Sequence, residues 1–138
     1  MADRLETIGQ VPVLVCDAEG ERVANDRDAV DVIAAAYSAG AAWVLMPVER
    51  LDPGFFALRT GVAGQVLGKF ADYRMGLIVV GDIAERVAER VAGSDAFRDL
   101  VRESNRGRQM WFVAEAAEAE LRLAPLGAAM AESGGGEG

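Results

Sequence analysis

Apolar runs without polar alternation, set between segments of helical period, are what most constrain this chain. Trp43-Val-Leu-Met46, Gly76-Leu-Ile-Val-Val80 and Met110-Trp-Phe-Val113 offer no polar face to water. Each reads as a strand, the first two as strands covered on both sides, the condition of a mostly parallel sheet with helices packed on it. Gly76–Val80 is the clearest of them, and Trp43–Met46 is expected centrally in the sheet. Leu5 to Ile8 and the β-branched run Val11–Val15, stopped by Asp17-Ala-Glu-Gly20, predict two earlier strands paired with each other.

Between these runs the period changes. Asn25 or Asp26 can cap a helix whose apolar face is Val30, Ile33, Ala34 and Tyr37, with Asp28 and Asp31 suited to its N-terminus and Gly40 ending it. Asp52-Pro53 predicts a further turn of helix. After Thr60-Gly61, the residues Ala63, Val66, Leu67 and Phe70 face a core while Lys69 and Asp72 face water. Gly81-Asp82 leads into a helix carrying Val87, Ala88 and Val91, and Gly93-Ser94-Asp95 breaks and recaps it. Phe97, Leu100 and Val101 continue the apolar face up to Glu103–Gly107, where Gly107 suits a left-handed stop. Glu115 to Leu123 is a last helix closed by Pro125. The element order is β-β-α-β-α-β-α-β-α: a single α/β domain over residues 1–124, with right-handed crossovers, followed by a disordered Gly/Ala-rich tail over 125–138.

The 138 residues suffice for one core without disulfides or a structural metal. A net charge of −8 argues against nucleic acid, which requires a clustered positive surface. With one cysteine, Cys16, and no histidine, zinc sites of the Cys/His kind and histidine triads cannot be built. No cofactor and no metal is called for. The start MADRLETIGQ has no leader pattern and no apolar stretch spans a bilayer, so a cytoplasmic protein without membrane contact is expected.

Ligands and partners of such sheets meet the carboxyl ends of the strands. That edge is expected to carry Asp17, Glu49, Arg50, Asp82 and the helix start at Arg59, Thr60 and Gly61. An anion, or a phosphate on Thr60, would be stabilised there by free N–H groups and the helix dipole, with Arg59 adding charge. A Thr-Gly pair is more commonly only a helix cap. Glu49 and Asp82 could hold a hard cation, although acids at strand ends more commonly cap helices. Lys69 and Tyr73 share a helix face with Arg74 beyond them. No glycine-rich phosphate loop accompanies them, so a solvated face is the plainer reading. Glu103 and Asn105 belong to a polar group at a helix C-terminus. Cys16, Trp43 and Trp111 read as core.

Phe55-Phe56, Leu58, Thr60-Gly61, Ala63-Gly64, Lys69-Phe70, Tyr73-Arg74, Gly81-Asp82 and Glu103-Ser104-Asn105 with Gly107 follow one another in an order that resembles the bacterial domain-of-unknown-function family numbered 4180. The resemblance covers all but the Gly-rich tail. The element order is also similar to STAS domains, the fold of sulfate-transporter tails and anti-sigma-factor antagonists. In those antagonists a Ser or Thr followed by Gly, at the start of the helix after the third strand, is phosphorylated by a partner kinase. Thr60-Gly61 falls on that position, although Leu58-Arg-Thr-Gly61 replaces the usual Asp-Ser-Ser-Gly. The resemblance implies a non-catalytic regulatory module that binds a protein partner around Thr60 under phospho-regulation. The alternative is a small-molecule binder or enzyme using Glu49, Arg59, Thr60, Tyr73 and Asp82. A homodimer pairing through exposed strand edges is a third possibility.

Overall fold

A computed structural model describes residues 3–88 and 94–137. Five strands form one sheet in the order β1-β2-β3-β4-β5: Arg4–Ile8, Val11–Val15, Trp43–Pro47, Gly76–Val80 and Met110–Val113. β1 is antiparallel to β2 and every other pair is parallel, with Trp43 opposite both Val13 and Gly76 and with Ile78 opposite Trp111. The mostly parallel α/β architecture is thus the expected one, with β3 in the middle.

Strands taken in sequential order with right-handed crossovers put every crossover helix on the same face. That face carries α1 (Asp26–Ala39), α2 (Val62–Asp72), α3 (Ile83–Ala88) and α4 (Ser94–Arg106). The larger core lies there, where Leu14, Val44, Met46, Leu77, Val79 and Phe112 of the strands meet Ile33, Val66, Phe70 and Phe97 of the helices. α5 (Ala116–Glu137) returns across the other face, where Ala119 and Leu123 cover Val11, Val13, Leu45 and Ile78. The alternation along each strand sorts its residues between these two cores, so almost nothing in β3 or β4 is left for solvent.

Trp43 and Trp111 stack with ring centroids 4.4 Å apart under α5, and the Arg122 guanidinium lies 4.5 Å from the Trp111 ring. The rings can meet across β4 because Gly76 stands between them: a Cβ there would lie 2.2 Å from Trp43 Cδ2.

Three expectations need correction. The buried face of α1 is Ala29, Val32, Ile33 and Ala36, one residue out of phase with the predicted Val30, Ile33, Ala34 and Tyr37. The small alanines let α1 come close to the sheet and to α2, whereas Tyr37 stays 52% exposed and donates its hydroxyl to the Tyr73 carbonyl. Gly40 does end the helix in the left-handed conformation, φ 83°. Gly107 does not: it is absent from the positive-φ positions and closes α4 through an N–H bond to the Ser104 carbonyl.

Pro125 does not close the last helix, since α5 runs on to Glu137. The i−4 carbonyl that Pro125 cannot serve belongs to Leu121, and both residues are exposed, so water can satisfy it. The packing also continues past residue 124. Leu126 packs on the α5 core, and Gly127 is buried against the Gly9-Gln10 turn, where an added Cβ would lie 1.8 Å from the Gly9 carbonyl oxygen. That turn, with φ 56° at Gly9 and 66° at Gln10, is the two-residue kind that matches the twist of an antiparallel pair. The helix break was predicted at Gly93, after Val91; both lie outside the described residues, while Val87 and Ala88 fall within α3.

Candidate functional site

At the carboxyl end of β3 the chain passes through three short 3-10 turns, Val48–Arg50, Pro53–Phe56 and Leu58–Thr60, before α2 begins. Asp52 caps the second by accepting from the Gly54 N–H at 2.8 Å. Phe55 and Phe56 turn fully inward, where both rings meet Phe97, so the loop is anchored from below. Gly61, at φ 83°, then reverses the chain into α2.

Arg59 and Thr60 are both exposed at this entrance. The Thr60 hydroxyl nevertheless turns back into the loop. It lies 2.6 Å from the Gly54 carbonyl and 2.9 Å from the Ala57 carbonyl, to which it donates, and it accepts from the Val62 N–H at 3.3 Å. Thr60 thus closes the last 3-10 turn and serves the first orphan N–H of α2, the structural role a Thr-Gly pair commonly has. Gln65 accepts from the Asp26 N–H at 3.2 Å, which brings the starts of α1 and α2 side by side.

Two of the acids expected on this edge, Asp82 and Glu49, have separate structural partners. Asp82 caps α3 by accepting from the Glu85 N–H at 3.0 Å. Glu49 lies 3.7 Å from Arg86 of the same helix. Asp82 also borders an open cavity of about 530 Å³ at the ends of β4 and β5, with Phe112, Val113 and Glu115 across from it. Among the described residues no three metal-ligating side chains come together.

Arg50 proves to be the most constrained polar group on the edge, with only 6% exposure. Its Nε donates to the Glu21 carbonyl at 2.6 Å, and its Nη1 donates to the Asp17 carbonyl at 3.0 Å and to Asp3 Oδ1 at 2.7 Å. Nη2 reaches Asp3 Oδ2 at 3.3 Å, making the pair bidentate. Burial would raise the Asp3 pKa, but the Arg50 hydrogen bond, the Asp17 amide and the Arg50 charge outweigh it and hold the carboxyl below its ordinary value. Cys16 sits beside them, and burial together with the Asp3 charge pushes its thiol up to about 12. It is a core residue, as expected, and no nucleophile. Arg50 was legible as an edge residue but not as the centre of a cluster. The available signal was its place between Val48 and Leu51, two residues that a turn after a buried strand must also bury.

The secondary candidates lie elsewhere. Lys69 lines a shallow groove with Asp26, Arg27 and Val30. Tyr73 and Arg74 follow the C-terminal end of α2, which at 1.5 Å per residue is about 16 Å from Thr60. The set Glu49, Arg59, Thr60, Tyr73 and Asp82 is therefore not assembled: Tyr73 stands at the amino end of the sheet. Glu103 makes an exposed i,i+3 pair with Arg106 at 3.8 Å. Asn105 has a structural task, since its Nδ2 donates to the Phe112 carbonyl at 3.1 Å and its Oδ1 accepts from the Phe112 N–H at 2.7 Å. Both backbone groups of that edge-strand residue are satisfied by one side chain.

Compared with known proteins, residues 8–123 match the family model described as a domain of unknown function, DUF4180. No curated protein and no solved structure matches.

Proposed function

We propose that this chain, which belongs to the DUF4180 family, is a non-catalytic interaction module that binds a protein partner at the α2 entrance formed by Arg59, Thr60 and Gly61. The observation that carries this reading is the use already made of the reactive groups on the carboxyl-end edge. Asp82 caps a helix, Glu49 pairs with Arg86, Arg50 is buried in its own cluster and the Thr60 hydroxyl bonds two carbonyls. General acid–base work needs such groups directed at a substrate. Arg59, in contrast, is exposed and has no ion pair among the described residues, so its guanidinium can meet an acidic or planar group on a partner. A phosphate on Thr60 would remove the one hydroxyl proton that the Gly54 and Ala57 carbonyls share, so the surface itself, rather than its modification, is the binding element here.

The test compares affinity capture from native lysate by the wild-type chain and by Arg59→Glu, quantified by mass spectrometry. Loss of a discrete set of captured proteins in the variant supports the entrance as the binding surface. Identical sets, or none, refute it. A metabolite thermal-shift screen run in parallel addresses the small-molecule alternative: a ligand that binds only the folded chain raises its melting temperature, and such a hit blunted in Asp82→Asn would transfer the function to the cavity at the ends of β4 and β5.

A further inference from the structure

The two edges of the sheet are treated differently. β5 has its outer Phe112 groups taken by Asn105, whereas among the described residues no element pairs with the outer edge of β1. Pro12 gives its carbonyl to the Ala42 N–H on the β3 side, so the Thr7–Pro12 pair is one of the non-hydrogen-bonded pairs of the β1–β2 ladder. Thr7 therefore directs its N–H and C=O outward, and by alternation so do Leu5 and Asp3. Among the described residues, the backbone groups of Leu5 and Thr7 have no partner. Leu5 is also one of few large apolar side chains left open, at 48% exposure. Native sheets seldom leave such an edge unguarded.

We propose that a second copy of this chain occupies it, β1 pairing antiparallel with β1 about a two-fold axis at Leu5. The strand is complementary to itself in that register. Leu5 faces Leu5 of the other copy in a hydrogen-bonded pair, Thr7 faces Asp3, and on the opposite sheet face Arg4 stands across from Glu6 twice. Arg4 and Glu6 already pair within one strand, so the dimer closes four charges of alternating sign into a ring. Centring on Asp3, Arg4 or Glu6 would set that charge against itself, and like charges directly opposite are unfavourable. Centring on Thr7 would run Leu5 into the Gly9-Gln10 turn. The register about Leu5 is the one that avoids both.

Sedimentation velocity of the full chain over a concentration series reads the assembly, and the expected result is a boundary that moves from monomer to dimer mass. Leu5→Pro removes an outward N–H that the β1–β2 pairing does not use, together with an exposed side chain, so its circular dichroism should be unchanged while the dimer is lost. Arg4→Glu should raise the dimer Kd by roughly tenfold or more, and Arg4→Glu with Glu6→Arg should restore it. The register is read by oxidation: Leu5→Cys should form a disulfide-linked dimer, because facing Cα atoms lie about 5.5 Å apart. Thr7→Cys should not, its two copies being offset by about 13 Å along the strands. Cys16, the sole native cysteine, is buried and does not interfere. A monomer boundary throughout, Arg4→Glu without effect, or Thr7→Cys cross-linking as well as Leu5→Cys would each overturn the proposal. Should Leu5→Pro fail to fold, the charge and cysteine variants decide alone.

Discussion

Removing the Asp3 carboxylate should test how far one buried guanidinium governs stability. Asp3→Ala leaves Arg50 with its two carbonyl acceptors and no counter-charge while still almost fully buried. Breaking one partner of a buried ion pair costs about 3–5 kcal/mol. Asp3 itself is 24% exposed, and Arg50 borders a cavity of about 170 Å³ that water can enter, so the lower end applies, about 3 kcal/mol. For a domain near this size that is a fall of roughly 10 °C in melting temperature. Asp3→Asn, which keeps one acceptor but no charge, should lose about half as much. Urea unfolding followed by circular dichroism reads both variants, and the double variant with Arg50→Met should show a coupling energy of about 1–3 kcal/mol. The pH dependence has a fixed sign. The folded Asp3 carboxyl titrates below its ordinary value of 3.8, so its stabilisation is complete above that value and is lost as pH falls through the folded one. Wild type and Asp3→Ala should therefore converge in strong acid. A variant within about 0.5 kcal/mol of wild type at neutral pH, or a gap that persists unchanged in acid, would refute the account.

Gly76→Ala drives a methyl to within 2.2 Å of Trp43; a loss of about 1–3 kcal/mol and a red-shifted tryptophan emission are expected. Asn105→Leu strips the Phe112 N–H and C=O of their partners. Unfolding should be easier by about 1–3 kcal/mol, and light scattering should reveal association through the uncovered β5 edge. Cys16, with its pKa near 12, has roughly one thiolate in ten thousand at pH 8. It should not react with a disulfide reagent until the chain unfolds, and fast labelling of the folded chain would contradict its burial.

What could be read from the sequence divides by range. The strands Val11–Val15, Gly76–Val80 and Met110–Val113 and the α2 stripe of Ala63, Val66, Leu67 and Phe70 are patterns within a few residues, and they were legible to their ends. The entrance at Thr60-Gly61 was legible as a helix start for the same reason. The α1 face was missed by one residue because alanines carry little apolar signal, yet Ala29 and Ala36 are what the sheet and α2 come close to. Arg50 was not legible as a hub, since its acceptors are 29 to 47 residues away and no local pattern encodes them. Pro125 obeys a local rule that the surroundings override: the Gly9-Gln10 turn, more than a hundred residues earlier, docks on the helix just beyond it.

The position of β1 bears on how the α2 entrance would work. α2 links β3 to β4, and β1 lies two strand spacings, about 10 Å, beyond β3 in the plane of the sheet. Extending the sheet at β1 adds the second copy sideways and does not cover the carboxyl ends of β3 and β4. A β1-paired dimer therefore presents two entrances related by the two-fold axis. A partner that is itself dimeric would bind it with an avidity the monomer lacks, an effect that can reach about 10²–10⁴ where the geometry lets both sites engage. Partner capture by Leu5→Pro should then be weaker than by wild type although Arg59 and Thr60 are untouched, and Arg59→Glu should abolish capture in either background. Equal capture by wild type and Leu5→Pro would mean that the edge and the entrance act independently.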